Sequence, residues 1–255
     1  MADALFSSEF RQVCSQRGCP FCSLARARTR RYLSNLLYEF TLAGDIHRRL
    51  AESRGFCNGH AWLLQHVAHL EQKDGTSVAI FYATVVQHVV ARLGDALDRG
   101  WPRREGRLHG KRLAGTVLSR LRPTRPCLVC ERQRESECFT LTQFLDEIEM
   151  SGVECPLAQA YARSAGACLP HLDALLAAEP GDGVARWLVD QQRAHLMELA
   201  SHLETYVRKH DAQCRREPMG PERDSWVRVI EQCVGKPGVP MGLFADAAPA
   251  KGDLR

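Results

Sequence analysis

A C-x-x-C pair followed at a distance by a C-x-x-H pair occurs twice in this chain, and that duplication constrains the fold more than any other feature. Cys19-Pro20-Phe21-Cys22 is answered by Cys127-Leu128-Val129-Cys130, 108 residues later. Cys57-Asn58-Gly59-His60 is answered by Cys168-Leu169-Pro170-His171, 111 residues later. The match extends beyond these pairs. Leu36-Leu37-Tyr38-Glu39-Phe40 aligns with Phe144-Leu145-Asp146-Glu147-Ile148, and Arg54-Gly55-Phe56-Cys57 with Ala165-Gly166-Ala167-Cys168. Random placement of eleven cysteines and ten histidines does not give this pattern twice at matched spacing. A fixed-period repeat defines the unit that must fold, so it governs everything read afterwards.

Helical periodicity fills the intervals. Val78, Phe81, Tyr82, Val85, Val89 and Leu93 follow the spacing of a buried helical face, as do Val184, Trp187, Leu188, Leu199 and Leu203 in the second copy. Leu33, Leu36, Leu37 and Phe40 carry the same period as Leu141, Phe144, Leu145 and Ile148. No segment shows the alternation that a strand requires. Each copy therefore reads as C-x-x-C, a long helix, a shorter helix, a glycine turn at Gly55 or Gly166, C-x-x-H opening a third helix, and a fourth helix after an Asp/Gly break. The expected fold is all-α: two pseudo-repeated helical units about an approximate twofold, each closed by a Cys3His metal site, plus a C-terminal extension. The units fall at 1–99 and 127–210. Between them, 100–126 forms a basic linker with eight Lys or Arg against one Glu. Residues 211–255 form the extension, with a short helix over Ser225–Val234 and an Ala/Gly/Pro tail from Gly235 that reads as disordered.

Three thiolates and one imidazole make a common structural zinc shell. The eight ligand residues expected are Cys19, Cys22, Cys57 and His60 for one ion, and Cys127, Cys130, Cys168 and His171 for the other. The near-equal intervals favour pairing within each unit, with metal clamping the open end of a returning helix pair. The crossed arrangement, in which Cys19 and Cys22 meet Cys168 and His171, is the alternative. Iron–sulfur clusters, thiol–disulfide couples and buried free cysteines compete with the two zinc ions. Glu39 and Glu147 recur at one register and are expected to orient their unit's histidine by accepting its second N–H, against the plainer reading of aligned surface glutamates. His66 and His69 read as exposed, and Cys14, Cys138, Cys155, Cys214 and Cys233, which have no counterpart in the other copy, as packing residues.

Composition narrows the functional classes. With 45% hydrophobic and 25% charged residues the chain is of soluble globular type. The N-terminus lacks the basic start and apolar run of a signal peptide. Val78–Leu93 is broken by Gln87, His88 and Arg92 and reads as too polar and too short for a membrane span. A cytoplasmic location follows by default, where thiols stay reduced and serve metals more readily than disulfides. A net charge of +4 is too small to argue for nucleic acid, and the basic linker reads as solvated. No phosphate-binding loop, dinucleotide-binding glycine pattern or nucleophile elbow is present.

The chain resembles an uncharacterised prokaryotic family of Cys/His-rich helical proteins of unknown function. The resemblance rests on CPFC at 19–22, RGFCNGHAW at 54–62, CLVC at 127–130, CLPH at 168–171, RKHDAQCRREPMG at 208–220 and DSWVRVIE at 224–231. It spans nearly the whole chain and implies a shared architecture and metal, without a reaction. The function expected is that of a non-enzymatic, zinc-stabilised interaction or scaffold module whose partner is another protein. The alternatives are an iron–sulfur or thiol redox protein and a metal- or oxidant-responsive regulator.

Overall fold

The computed structural model describes residues 2–71, 73–100, 107–214 and 216–238. Among them there are eleven α-helices and no strand. In the first copy α1 spans Ala2–Cys14, α2 Pro20–Tyr38, α3 Gly44–Ser53, α4 Asn58–Glu71 and α5 Thr76–Gly100. In the second, α6 spans Arg107–Leu121, α7 Leu128–Ser151, α8 Pro156–Ala162, α9 Leu169–Ala177 and α10 Asp182–Lys209. A 3-10 turn at Pro221–Asp224 leads into α11, Ser225–Val234. The four helices read in each repeat are present, each preceded by one more, α1 or α6. Most of the described part of the basic linker is thus helix α6, packed along α5. The tail expected to be disordered lies from residue 239 outside the described residues.

Local chemistry sets the helix ends. After α3, Arg54 (φ 57°) and Gly55 (φ 86°) turn left-handed, and the Gly55 N–H reaches back to the Leu50 carbonyl at 2.7 Å. Gly166 (φ 71°) makes the corresponding turn after α8. A Cβ there would lie 2.7 Å from His195 Cδ2, so shape as well as φ demands glycine. Pro156 and Pro170 open α8 and α9, where a missing N–H costs nothing. Helix α2 stops at Tyr38, which leaves Phe40 beyond the helix and partly exposed rather than on the buried stripe.

Contacts gather the chain into two compact units, one of residues 1–28 with 134–255 and the other of residues 29–133. The boundaries fall within α2 and α7, not at the ends of the sequence repeats. In the first unit Phe10, Phe21, Phe144 and Tyr161 form an aromatic core with neighbouring ring centroids 5.1–6.1 Å apart, joined by Phe6 and Trp187. Phe21 meets Phe144, and Arg28 donates to Thr140 Oγ1 at 2.8 Å, so α2 and α7 run antiparallel there. In the second unit Leu33, Leu36 and Leu37, from the far part of α2, share a core with Leu50, Phe56, Leu64, Phe81 and Val85, and with Leu128 and Val129 from the start of α7. Helix α5 is longer than the stretch Val78–Leu93. Over Thr76–Leu97, with mean hydropathy 1.3 and 11% of its window buried, it is long and apolar enough by length and composition alone to cross a membrane, against the expectation that this segment is too polar and too short. It packs on α3, α4 and α6 through Phe81, Val85 and Ala96.

Candidate metal centres

Each C-x-x-C lies at a helix start. Cys19 precedes α2 and Cys22 sits in its first turn; Cys127 and Cys130 hold the same places on α7. Each C-x-x-H does likewise, with Cys57 and His60 opening α4, and Cys168 and His171 opening α9. Four helix N-termini therefore carry all eight residues. Their unpaired N–H groups and positive dipole ends favour thiolates there.

The structure assembles the eight residues into two Cys3His clusters, and the pairing crosses between the repeats. Cys19, Cys22, Cys168 and His171 form one cluster, and Cys57, His60, Cys127 and Cys130 the other. This corrects the pairing within repeats that equal intervals favoured, and helix length explains why. At 1.5 Å per residue, the 19-residue α2 is about 28 Å long, while the 10-residue α3, even running straight back, would cover only about 15 Å. In the second copy α7 is about 36 Å long over 24 residues, while α8, even running straight back, would cover only about 10 Å over seven. Neither short helix can bring its C-x-x-H back to its own C-x-x-C. Antiparallel α2 and α7 instead place the start of each beside the C-x-x-H that follows the other.

Within each cluster the donor atoms all lie within 4.8 Å of one another. In the first, His171 Nδ1 is 3.1 Å from Cys168 Sγ, 3.4 Å from Cys22 Sγ and 3.7 Å from Cys19 Sγ, and Cys22 Sγ is 3.7 Å from Cys168 Sγ. In the second, His60 Nδ1 is 3.3 Å from both Cys57 and Cys130 Sγ and 3.8 Å from Cys127 Sγ, and Cys57 Sγ is 3.5 Å from Cys130 Sγ. A tetrahedron with metal–sulfur bonds of about 2.3 Å has edges of about 3.8 Å, so these separations fit one ion held by four protein atoms.

Cys127 and Cys130 shift each other, and the sulfurs around His171 shift its imidazole. The Cys127 thiol is pushed down to about 3, first by its hydrogen bond with Cys130 and then by His60, while its partner Cys130 is pushed up. Burial alone would lower His171, but the sulfurs of Cys19, Cys168 and Cys22 outweigh it and hold the imidazole well above its ordinary value. Such a cluster favours positive charge in its midst.

The profile of one protein family matches residues 9–238. The chain belongs to DUF6062, a family of unknown function. No curated protein matches the chain, and no solved structure does.

What surrounds the clusters in this DUF6062 chain differs from the sequence expectation. Glu39 is exposed beyond the end of α2, and Glu147 is half-buried on α7 with its carboxylate accepting from Ser151. The group facing His60 Nε2 is the buried Gln133, whose Oε1 lies 3.1 Å away. Gln133 stands one helical turn after Cys130, and that i+3 spacing on a ligand-bearing helix is the sequence signal that would have found it. The equivalent position in the first copy is Ala25. There Phe21 stacks on the His171 ring with centroids 5.5 Å apart, and the fully buried Tyr161 accepts the Ala167 N–H at 3.1 Å, holding the loop before Cys168. The extension also reaches the first cluster's loops. Gln232 donates to the Ala167 carbonyl, and Lys236 to the Arg17 carbonyl and Ser23 Oγ. His66 and His69 are exposed as expected. Of the remaining cysteines, Cys14 and Cys155 are buried, Cys138 and Cys214 half-buried, and Cys233 exposed, so packing accounts for the first two best.

Proposed function

We propose that this DUF6062 chain is a zinc-stabilised helical protein in which two structural ions act as clamps, and that it works by presenting surfaces to another protein rather than by catalysis. The observation that carries the reading is that each cluster offers four protein donors at tetrahedral edge distances. With all four positions filled, an ion there has no open place for a substrate, as structural zinc requires and catalytic zinc does not. A [4Fe–4S] cluster attaches its four ligands to four irons and a [2Fe–2S] cluster attaches them in pairs to two, so both spread the donors wider than one ion does, which favours a single ion. Zinc suits the mixed sulfur and nitrogen donor set. Helix α11 supports the interaction role. It buries its polar Ser225 and Gln232 and turns Trp226, Val227, Ile230 and Val234 outward, the reverse of an ordinary surface helix.

The test is metal content with an absorption spectrum on protein purified without oxygen, followed by thermal unfolding with and without a strong chelator. Two colourless zinc ions per chain, with a large fall in Tm on chelation, support the reading. Iron with sulfide and visible absorption would replace it with electron transfer.

A further inference from the structure

The two clusters share a donor set but not an environment. Cys19, Cys22, Cys168 and His171 are all buried, at 0–1% exposure. Gln232, on α11, and Lys236, just after it, fasten the loops on either side of that cluster. In the second cluster Cys127 and His60 are buried, whereas Cys57 is half-buried to exposed and Cys130 half-buried. The two accessible sulfurs are also neighbours, 3.5 Å apart. A disulfide needs about 2.05 Å, so only a small closure separates them from a bond.

We infer that the second centre is a peroxide-sensitive modification site at which Cys57 and Cys130 form a disulfide and release the ion, while the first centre is inert. This rests on the zinc reading above. Hydrogen peroxide is the oxidant. The Cys57 thiolate attacks one peroxide oxygen, an S–O bond forms, the O–O bond breaks and hydroxide leaves. The Cys130 thiolate then attacks the Cys57 sulfur, an S–S bond forms, the S–O bond breaks and a second hydroxide leaves. Two electrons pass from the two sulfurs to peroxide, and solvent protons convert both hydroxides to water. Cys127 and His60 are then the only donors left, and two ligands do not retain an ion that needed four. A dithiol reductant reverses the step by exchange: its own two thiols become a disulfide, and two electrons and two protons pass to Cys57 and Cys130, restoring both thiols. Exposure decides which centre reacts, because peroxide reaches the first cluster's sulfurs only when the surrounding structure opens.

The experiment uses the intact 255-residue chain with its two zinc ions. It is treated with hydrogen peroxide in the presence of a chromophoric zinc chelator, and the cysteines are mapped by mass spectrometry. The expected result is release of one ion at least about tenfold faster than the other, with a Cys57–Cys130 disulfide that dithiothreitol and zinc reverse. In Gln232→Ala/Lys236→Ala protein the slow ion should be released faster and the fast one at its former rate. Two ions leaving together in the unaltered protein, or an oxidised first centre with Cys57 intact, would overturn the proposal and leave the zinc reading standing. A preparation that never holds two zinc ions removes the zinc reading, and this proposal with it.

Discussion

Gln133 holds its amide oxygen 3.1 Å from Nε2 of His60, and both side chains are buried. The ring N–H donates to that oxygen, which leaves Nδ1 bare of hydrogen and facing three sulfurs, the tautomer a metal needs. Gln133→Leu should therefore weaken the second centre about 10–100-fold in metal affinity while leaving the first unchanged. Competition with a chelator of known affinity measures both. Equal weakening of the two centres would show that Gln133 acts through general stability.

The crossed pairing has a direct stoichiometric signature. Cys22→Ser/Cys168→Ser protein should lose one ion per chain, because both changes fall on one cluster. Cys22→Ser/Cys57→Ser protein should lose both. Pairing within repeats predicts the opposite assignment, so metal analysis of the two double variants decides between them.

Gly166→Ala tests the turn before Cys168. The residue has φ 71°, and an added Cβ would lie 2.7 Å from the His195 ring. Strain of this kind costs on the order of 1–3 kcal/mol, which should appear as a lower denaturation midpoint. Stability equal to the parent's would mean that His195 and the turn relax freely.

Glu222 makes part of the stability of the extension depend on pH. Its carboxylate accepts the Gly220 N–H at 2.8 Å and pairs with Lys209 at 2.6 Å. These two contacts, in that order, push it down from 4.5 to about 2. A depressed carboxylate contributes fully above its unfolded value near 4.5, and that contribution is lost as pH falls toward about 2. Glu222→Gln should lower Tm at neutral pH, and the gap to the parent protein should narrow as pH drops below 4.5. A gap that stays constant from pH 7 to pH 3 would falsify the assignment.

Much of this architecture was legible in the sequence. Leu36, Leu37, Phe81 and Val85 sit at helical spacing because burying one face against neighbours requires it, and the structure buries them. Gly55 and Gly166 marked turns because few other residues tolerate positive φ. The eight clustered cysteines and histidines were visible because a metal site demands particular side chains at particular short spacings, and those spacings are local.

Which ligands share an ion was not local. It depends on the lengths of α3 and α8 against those of α2 and α7, and on the antiparallel contact of Phe21 with Phe144 and Arg28 with Thr140. Equal intervals cannot encode that, because crossed and uncrossed pairings of a duplicated motif have identical spacings. The place of Gln133 one turn after Cys130 was readable in the sequence, but its contact with His60 exists only once α7 lies beside α4. The same limit hid the difference in exposure between Cys57 and Cys168, which depends on what packs over each cluster. Sequence determined the helices, the turns and the donor set, since each follows from chemistry within a few residues. Tertiary structure alone decided the pairing, the orientation of the imidazoles and the accessibility of the sulfurs, since each depends on residues far apart along the chain.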